Sequence, residues 1–196
     1  MTPAAKAPSA RQEELLESAY RFAVEHGITD VSLRPLAAAI GSSPRVLLYL
    51  FGSKDGLIRA LLARARADEL ALLARLASGP QGAPGLADTV EQTWHWLADP
   101  QHRGLLGLWL EAYARSVLDP GGPWAGFAAS TVDDWLGLLR RAQPVARRDH
   151  PAGQAEATLA LAVLRGALMD LLATGDTERT TAALQHQIRL LTAGPA

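Results

Sequence analysis

Arg45, Tyr49 and Lys54 fall within one ten-residue window, with Ser32, Arg34, Ser43 and Val46 just ahead of Tyr49. These side chains are suited to gripping a polyanion. A guanidinium can give a guanine edge two hydrogen bonds or reach a phosphate, while hydroxyls and an ammonium hold phosphates in place. Val46 and Leu50 could touch thymine methyls. The charge follows the same division. From Val31 to Arg66 six cations face one acid, and residues 1–66 carry +3 while the remainder carries −4. A basic segment on an otherwise acidic chain suits a polyanionic partner for that segment. Charge alone would fit a solvated face equally well.

Other chemistry finds little support. The chain has no cysteine, so it lacks thiolate ligands, a thiol nucleophile and disulfides. His95, His102 and His150 make no metal spacing with the acids. Glu111 and Arg115 stand four apart, as an ordinary surface pair does. No nucleophile–base pair or phosphate-cradling glycine loop appears. The chain is therefore expected to be no enzyme and to need no cofactor or metal. No apolar run is read as reaching bilayer length, and the N-terminal stretch has no secretory pattern, so a cytoplasmic location is expected. The rival readings are an enzyme built on His95, Glu111 or His102, and a helical ligand-binding protein whose first helices bind protein.

The elements that must position these groups read as all-α, rich in Ala and Leu with no alternating strand pattern. A first helix is predicted from about Ser9 to His26, with Leu15, Ala19, Phe22, Ala23 and His26 on one face and Gly27 as its stop. Ser32 should cap the second helix, with Val31 and Leu36 as a hydrophobic staple. Ser43 and Pro44 open the third. Ser53 opens the fourth, which runs from Lys54 to about Leu76. Beyond the break GPQGAPG, helices are predicted over about 86–98, 101–118, 123–142, 154–174 and 177–193, with a loop at QPVARRDHPAG.

The second and third helices are too short to stand alone in water. Packed together, they make a helix-turn-helix: Ala37 is the small contact, Gly41 the turn and Leu47 the closing residue. Leu36, Ile40, Leu48 and Phe51 are expected to point toward the first helix. Arg45, Val46, Tyr49 and Leu50 are expected to face outward, where such a helix enters a major groove.

The run GITDVSLRPLAAAIGSSPRVLLYLFGSKDGL resembles the DNA-binding domain of TetR-like transcriptional regulators. Gly27, Ser32, Ala37, Gly41, Ser43, Phe51, Ser53, Lys54 and Leu57 carry the likeness over the first third of the chain. Leu48 stands where that pattern usually has tyrosine, and Ser42 replaces the usual apolar turn residue. The resemblance implies a DNA-binding domain at 1–66 and a ligand-binding and dimerisation domain at 67–196, joined by the fourth helix. It implies that Lys54 and Tyr49 grip phosphates and that Arg45 reads bases. It also implies a homodimeric regulator of the repressor type, released from a near-palindromic operator by a small apolar or aromatic effector.

All five tryptophans lie beyond residue 90. Trp94, Trp109 and Trp135, with Tyr113 and Phe127, are the candidate effector-lining residues, although each could equally fill a core. The stretch 157–191 is apolar around most of its first helix, so it needs cover on several sides. Leu161, Leu164, Leu168, Leu172, Leu184, Ile188 and Leu191 are the expected dimer contacts, with Gly166 allowing close approach. The competing reading is a central helix of a larger monomer core.

Overall fold

A computed structural model describes residues 9–27, 32–78 and 85–193. Its elements are α1 (Ala10–His26), α2 (Leu33–Ala39), α3 (Pro44–Phe51), α4 (Lys54–Ala77), α5 (Leu86–Leu97), α6 (Arg103–Leu118), α7 (Phe127–Arg141), α8 (Val145–Arg148), α9 (Pro151–Thr174) and α10 (Thr177–Ala193). A 3-10 turn at Pro100–His102 leads into α6, and no strand occurs among the described residues. The first unit joins Met1–Arg66 with Gly107–Ala128, and the second joins Ala67–Leu106 with Ala129–Ala196.

In the first unit, α1 starts where the Ser9 hydroxyl accepts from the Gln12 amide, and it ends at Gly27 with φ +79°. Leu15, Ala19 and Ala23 are buried as their spacing predicts, and Tyr20 joins them. Phe22 is only half-buried, and His26, expected on the same face, is exposed. Its ring stacks on Phe22 at 4.2 Å, which covers one face of that ring. α4 contributes Leu57, Ile58, Leu61, Leu62 and Ala65 to the unit's buried side chains. Arg64 ties α4 to α1 twice: it pairs with Glu17 and lies 4.9 Å over the Tyr20 ring. From the second segment of the unit, Ser116 Oγ accepts from the Ala128 amide at 3.1 Å, closing the loop that follows α6.

The second unit is built on α5, α9 and α10, which pack on one another. Trp94 Nε1 donates to Thr181 Oγ1 at 3.0 Å, fastening α5 to α10. Arg103 donates to the Leu172 carbonyl at 2.9 Å, serving the open carbonyl end of α9. Arg179 on α10 pairs with Asp170 on α9 at 2.8 Å, a hydrogen bond that raises its guanidinium above the ordinary value. Glu69, on the part of α4 that lies in this unit, is fully buried. Its carboxylate accepts from Trp135 Nε1 at 2.7 Å and Thr131 Oγ1 at 3.2 Å, both on α7.

Several boundaries move. α7 begins at Phe127, four residues after the predicted start, because Asp119–Gly122 and Gly122–Ala125 close successive turns first. The loop predicted between α7 and α9 contains the short α8. Arg148 holds that segment by donating to the carbonyls of Gln143 and Arg141. α9 starts at Pro151, three residues early, where His150 Nδ1 accepts from the Ala152 amide. By length and composition α9 could also cross a membrane, which corrects the reading that no stretch approaches that size. It carries Glu156, Arg165 and Asp170, and it buries Ala157, Ala160, Leu161, Leu164 and Leu171 inside the protein.

Replacing Glu69 tests the packing of the second unit. Glu69→Ala strands the buried Trp135 donor and removes the acceptor of the half-buried Thr131 hydroxyl, and a stranded buried partner costs about 1–3 kcal/mol. Glu69→Gln, which keeps an acceptor for Trp135, should lose less. Urea denaturation of the two variants beside the parent protein checks the order.

Candidate nucleic-acid interface

The interface is set by how two very short helices are fixed. α2 runs for only seven residues and α3 for eight. Leu36 and Ala37 bury the inner side of α2, and Leu47 is the one side chain of α3 that is fully enclosed. The turn between them is tight: the Ser42 amide donates to the Ala37 carbonyl at 2.7 Å, and the Gly41 amide to Ala38 at 3.3 Å. Gly41 has φ +64°, a left-handed conformation that costs a side-chain-bearing residue energy. Ala37, Gly41 and Leu47 thus take the positions expected of them.

The two helix starts differ. Ser43 Oγ accepts from the Val46 amide at 3.3 Å, which caps α3 and leaves the hydroxyl proton free to donate outward. Pro44 occupies the first turn, where no amide hydrogen is needed. Ser32 takes the N-cap position of α2, but its hydroxyl makes no cap bond, contrary to expectation. The Val31 half of the staple lies outside the described residues. α3 ends at Gly52 with φ +78°, and α4 begins two residues later, where Ser53 Oγ accepts from the Gly56 amide at 2.9 Å.

Arg34, Arg45, Val46, Tyr49 and Lys54 are all exposed, as is Ser32, while Ser43 is half-buried. Tyr49 is 86% exposed, leaving the whole ring available. Leu48 and Leu50 depart from expectation. Leu48, placed in the core from sequence, is 41% exposed, and Leu50, placed outside, is half-buried. Leu47 already fills the closing position, so the next residue is turned about 100° away from it. Lys54 opens the 24-residue α4, where its ammonium adds to the positive end of the helix dipole and suits an anion. Cations, hydroxyls and apolar groups together suit a duplex: charge for phosphates, Arg45 for a base edge, Val46 for an apolar contact.

The candidate effector residues divide between the units. Trp94 and Trp135 belong to the second, where both are buried. Trp109, Tyr113 and Phe127 belong to the first; Phe127 is buried and the other two half-buried. His102 stacks on Trp96 at 3.9 Å with Nδ1 2.8 Å from the Trp96 carbonyl oxygen, so this ring is held by its neighbour; His95 is exposed. Of the expected dimer contacts, Leu161, Leu164 and Leu184 are buried within the chain, whereas Leu168, Leu172, Ile188 and Leu191 keep part of their surface. Leu159 and Met169, which sequence reasoning passed over, are more than half exposed on α9. Their outward spacing with Ala162 and Gly166 was the available signal.

Residues 15–61 match the family described as bacterial regulatory proteins, tetR family. Solved structures share the fold over more than nine-tenths of the chain. A TetR-family transcriptional regulator from Rhodococcus sp., described as putative, is 20% identical with a TM-score of 0.69, covering 93% of this chain and 98% of that one. The multidrug binding protein EbrR complexed with proflavin is 22% identical with a TM-score of 0.65, covering 92% and 99%. A transcriptional regulator from Saccharomonospora viridis in complex with choline, also described as putative, is 19% identical with a TM-score of 0.71, covering 93% and 95%. Among curated proteins no sequence matches the chain. Residues 15–61, which hold the helix-turn-helix, are thus similar to the tetR family, and the chain shares the all-α fold of these structures.

The turn gives a direct test of the interface's foundation. A Cβ on Gly41 would meet no atom within 4 Å, so Gly41→Ala isolates the backbone cost. It should lower stability by about 1–2 kcal/mol, and Gly41→Asn by less. Thermal melts of the two variants check this.

Proposed function

We propose that this chain is a homodimeric transcriptional regulator of the repressor type, whose two heads bind successive major grooves of a near-palindromic operator in the cytoplasm. The observation that carries the reading is α3 itself: it is anchored by Leu47 while Arg45, Val46 and Tyr49 stand exposed beside Arg34 and Lys54. In this reading Arg45 and Arg34 reach base edges, and Ser32, Ser43, Tyr49 and Lys54 hold phosphates. The domain assignment at 1–66 and 67–196 is proposed with it. Nothing in this scheme breaks a covalent bond, in keeping with a regulator and not an enzyme.

For the dimer we propose α9 and α10 pairing with their counterparts in a second copy. The face offered is the outward side of α9: Leu159, Ala162, Gly166 and Met169, joined by the exposed parts of Leu168, Leu172, Ile188 and Leu191. Leu161, Leu164 and Leu184 support this face from within. Gly166 has open space where a Cβ would stand, so nothing in its own chain demands glycine. A close-packed neighbour would.

The effector we propose is a small molecule with an aromatic or apolar body, held in the second unit near Trp94 and Trp135. Trp109, Tyr113 and Phe127 are assigned to the first unit's response. Proflavin and choline, the ligands of two structures with this fold, are respectively a planar aromatic and a quaternary ammonium. Aromatic walls suit both. Release from DNA requires only that the effector favour one dimer shape; a coupling of about 1–3 kcal/mol changes DNA affinity roughly 5–150-fold.

Two experiments test the reading. Sequences selected from random DNA should yield a near-palindrome whose affinity falls steeply with salt. Lys54→Ala should weaken every duplex alike and flatten the salt slope by about one, while Arg45→Ala should relax preference at one base pair per half-site. Unaltered binding in both variants would remove α3 and the start of α4 from the interface. In sedimentation, Gly166→Leu should split the dimer while leaving the helical circular-dichroism signal intact; an unchanged dimer would place the interface elsewhere.

A further inference from the structure

α3 exposes more apolar surface than phosphate gripping requires. Val46 is 39% exposed and Leu48 41%, on a helix of eight residues whose only charged side chain is Arg45. At about 100° per residue, Arg45 and Tyr49 lie near the middle of the outward face, with Val46 at one edge and Leu48 at the other. Leu48 takes the position where TetR-like domains usually carry tyrosine. That exchange removes a hydroxyl donor and leaves a shorter, branched apolar group in its place.

Exposed apolar side chains gain free energy only when an apolar surface covers them. A duplex presents one kind of apolar group in its major groove, the C5-methyl of thymine. The flanking cations favour a duplex over a protein: Arg34, Arg45 and Lys54 are all exposed, and Asp55 is the one acid in the sequence from Val31 to Arg66. Resting on the regulator reading above, we infer that Val46 and Leu48 select operator half-sites bearing thymine methyls on either side of the base pair read by Arg45. Specificity at those two positions is apolar and insensitive to salt. Specificity at the Arg45 position is polar.

The test begins with the best duplex recovered from random DNA. Each thymine is then replaced singly by deoxyuridine, which keeps every hydrogen-bonding group and removes only the methyl. Substitution at a contacted position should weaken binding about fourfold, and about fifteenfold when the symmetry-related thymine is changed as well. Leu48→Ala should abolish the difference between thymine and uracil at one position, and Val46→Ala at another. Arg45→Ala should preserve both differences. Leu48 and Val46 are exposed, so circular dichroism should show all three variants folded. Equal affinity for thymine and uracil at every position in the parent protein would overturn the inference. So would discrimination that survives in both apolar variants. Those results would leave the regulator standing, whereas a selection that enriches no sequence would overturn the regulator reading and this inference together.

Discussion

The enclosure of Leu47 is the constraint on which the rest depends. α3 is too short to persist by its own hydrogen bonds, because the entropy of fixing its first turn outweighs the few bonds that follow. One fully buried side chain, a serine cap and a proline in the first turn hold it. Since one fully buried residue makes the anchor, with Leu50 and Phe51 half-buried on either side of it, the face carrying Arg45, Val46, Leu48 and Tyr49 is left for a partner. A longer and better-buried helix would be more stable and would have less to present.

The second unit works under a different constraint. α9 is apolar around most of its girth, and burial in its own chain satisfies only one side, through Ala157, Ala160, Leu161, Leu164 and Leu171. The opposite side is made mainly of small and medium apolar residues. Elsewhere in the unit, polar atoms join the core through defined partners. Trp94 reaches Thr181 and Trp135 reaches Glu69, so both indoles serve as spacers with a directed hydrogen bond. Such bonds fix the orientation of rings that hydrophobic packing alone would leave free to turn.

Much of this was legible in the sequence, and the larger failures concern which side of a helix faces inward. Caps, glycine stops and the helix-turn-helix spacing located α1 to α4 because each rests on local backbone chemistry. Which side of a helix faces inward was harder wherever apolar residues run together. In VLLYLF the spacing marked Leu47 as the anchor, as found, but drew Leu48 inward with it; the packing against α2 turns Leu48 outward. In α9 the leucines at 161 and 164 looked like contact residues because they are large. The outward side is instead marked by alanine and glycine, which attract less notice. The late start of α7 followed from a glycine- and proline-rich loop whose successive turns mimic a helical beginning. His26 was misplaced because a terminal histidine can satisfy helical periodicity and still find room in solvent by stacking on its neighbour.

Only Gly52 and Ser53 separate the end of α3 from the start of α4. Both are committed: one closes the earlier helix with a left-handed backbone, the other opens the next with its hydroxyl. A joint with no spare residue behaves as a knuckle and not as a tether. Any tilt at the first turn of α4 must therefore be carried straight into the helix ahead of it, with no slack in which the motion could be lost.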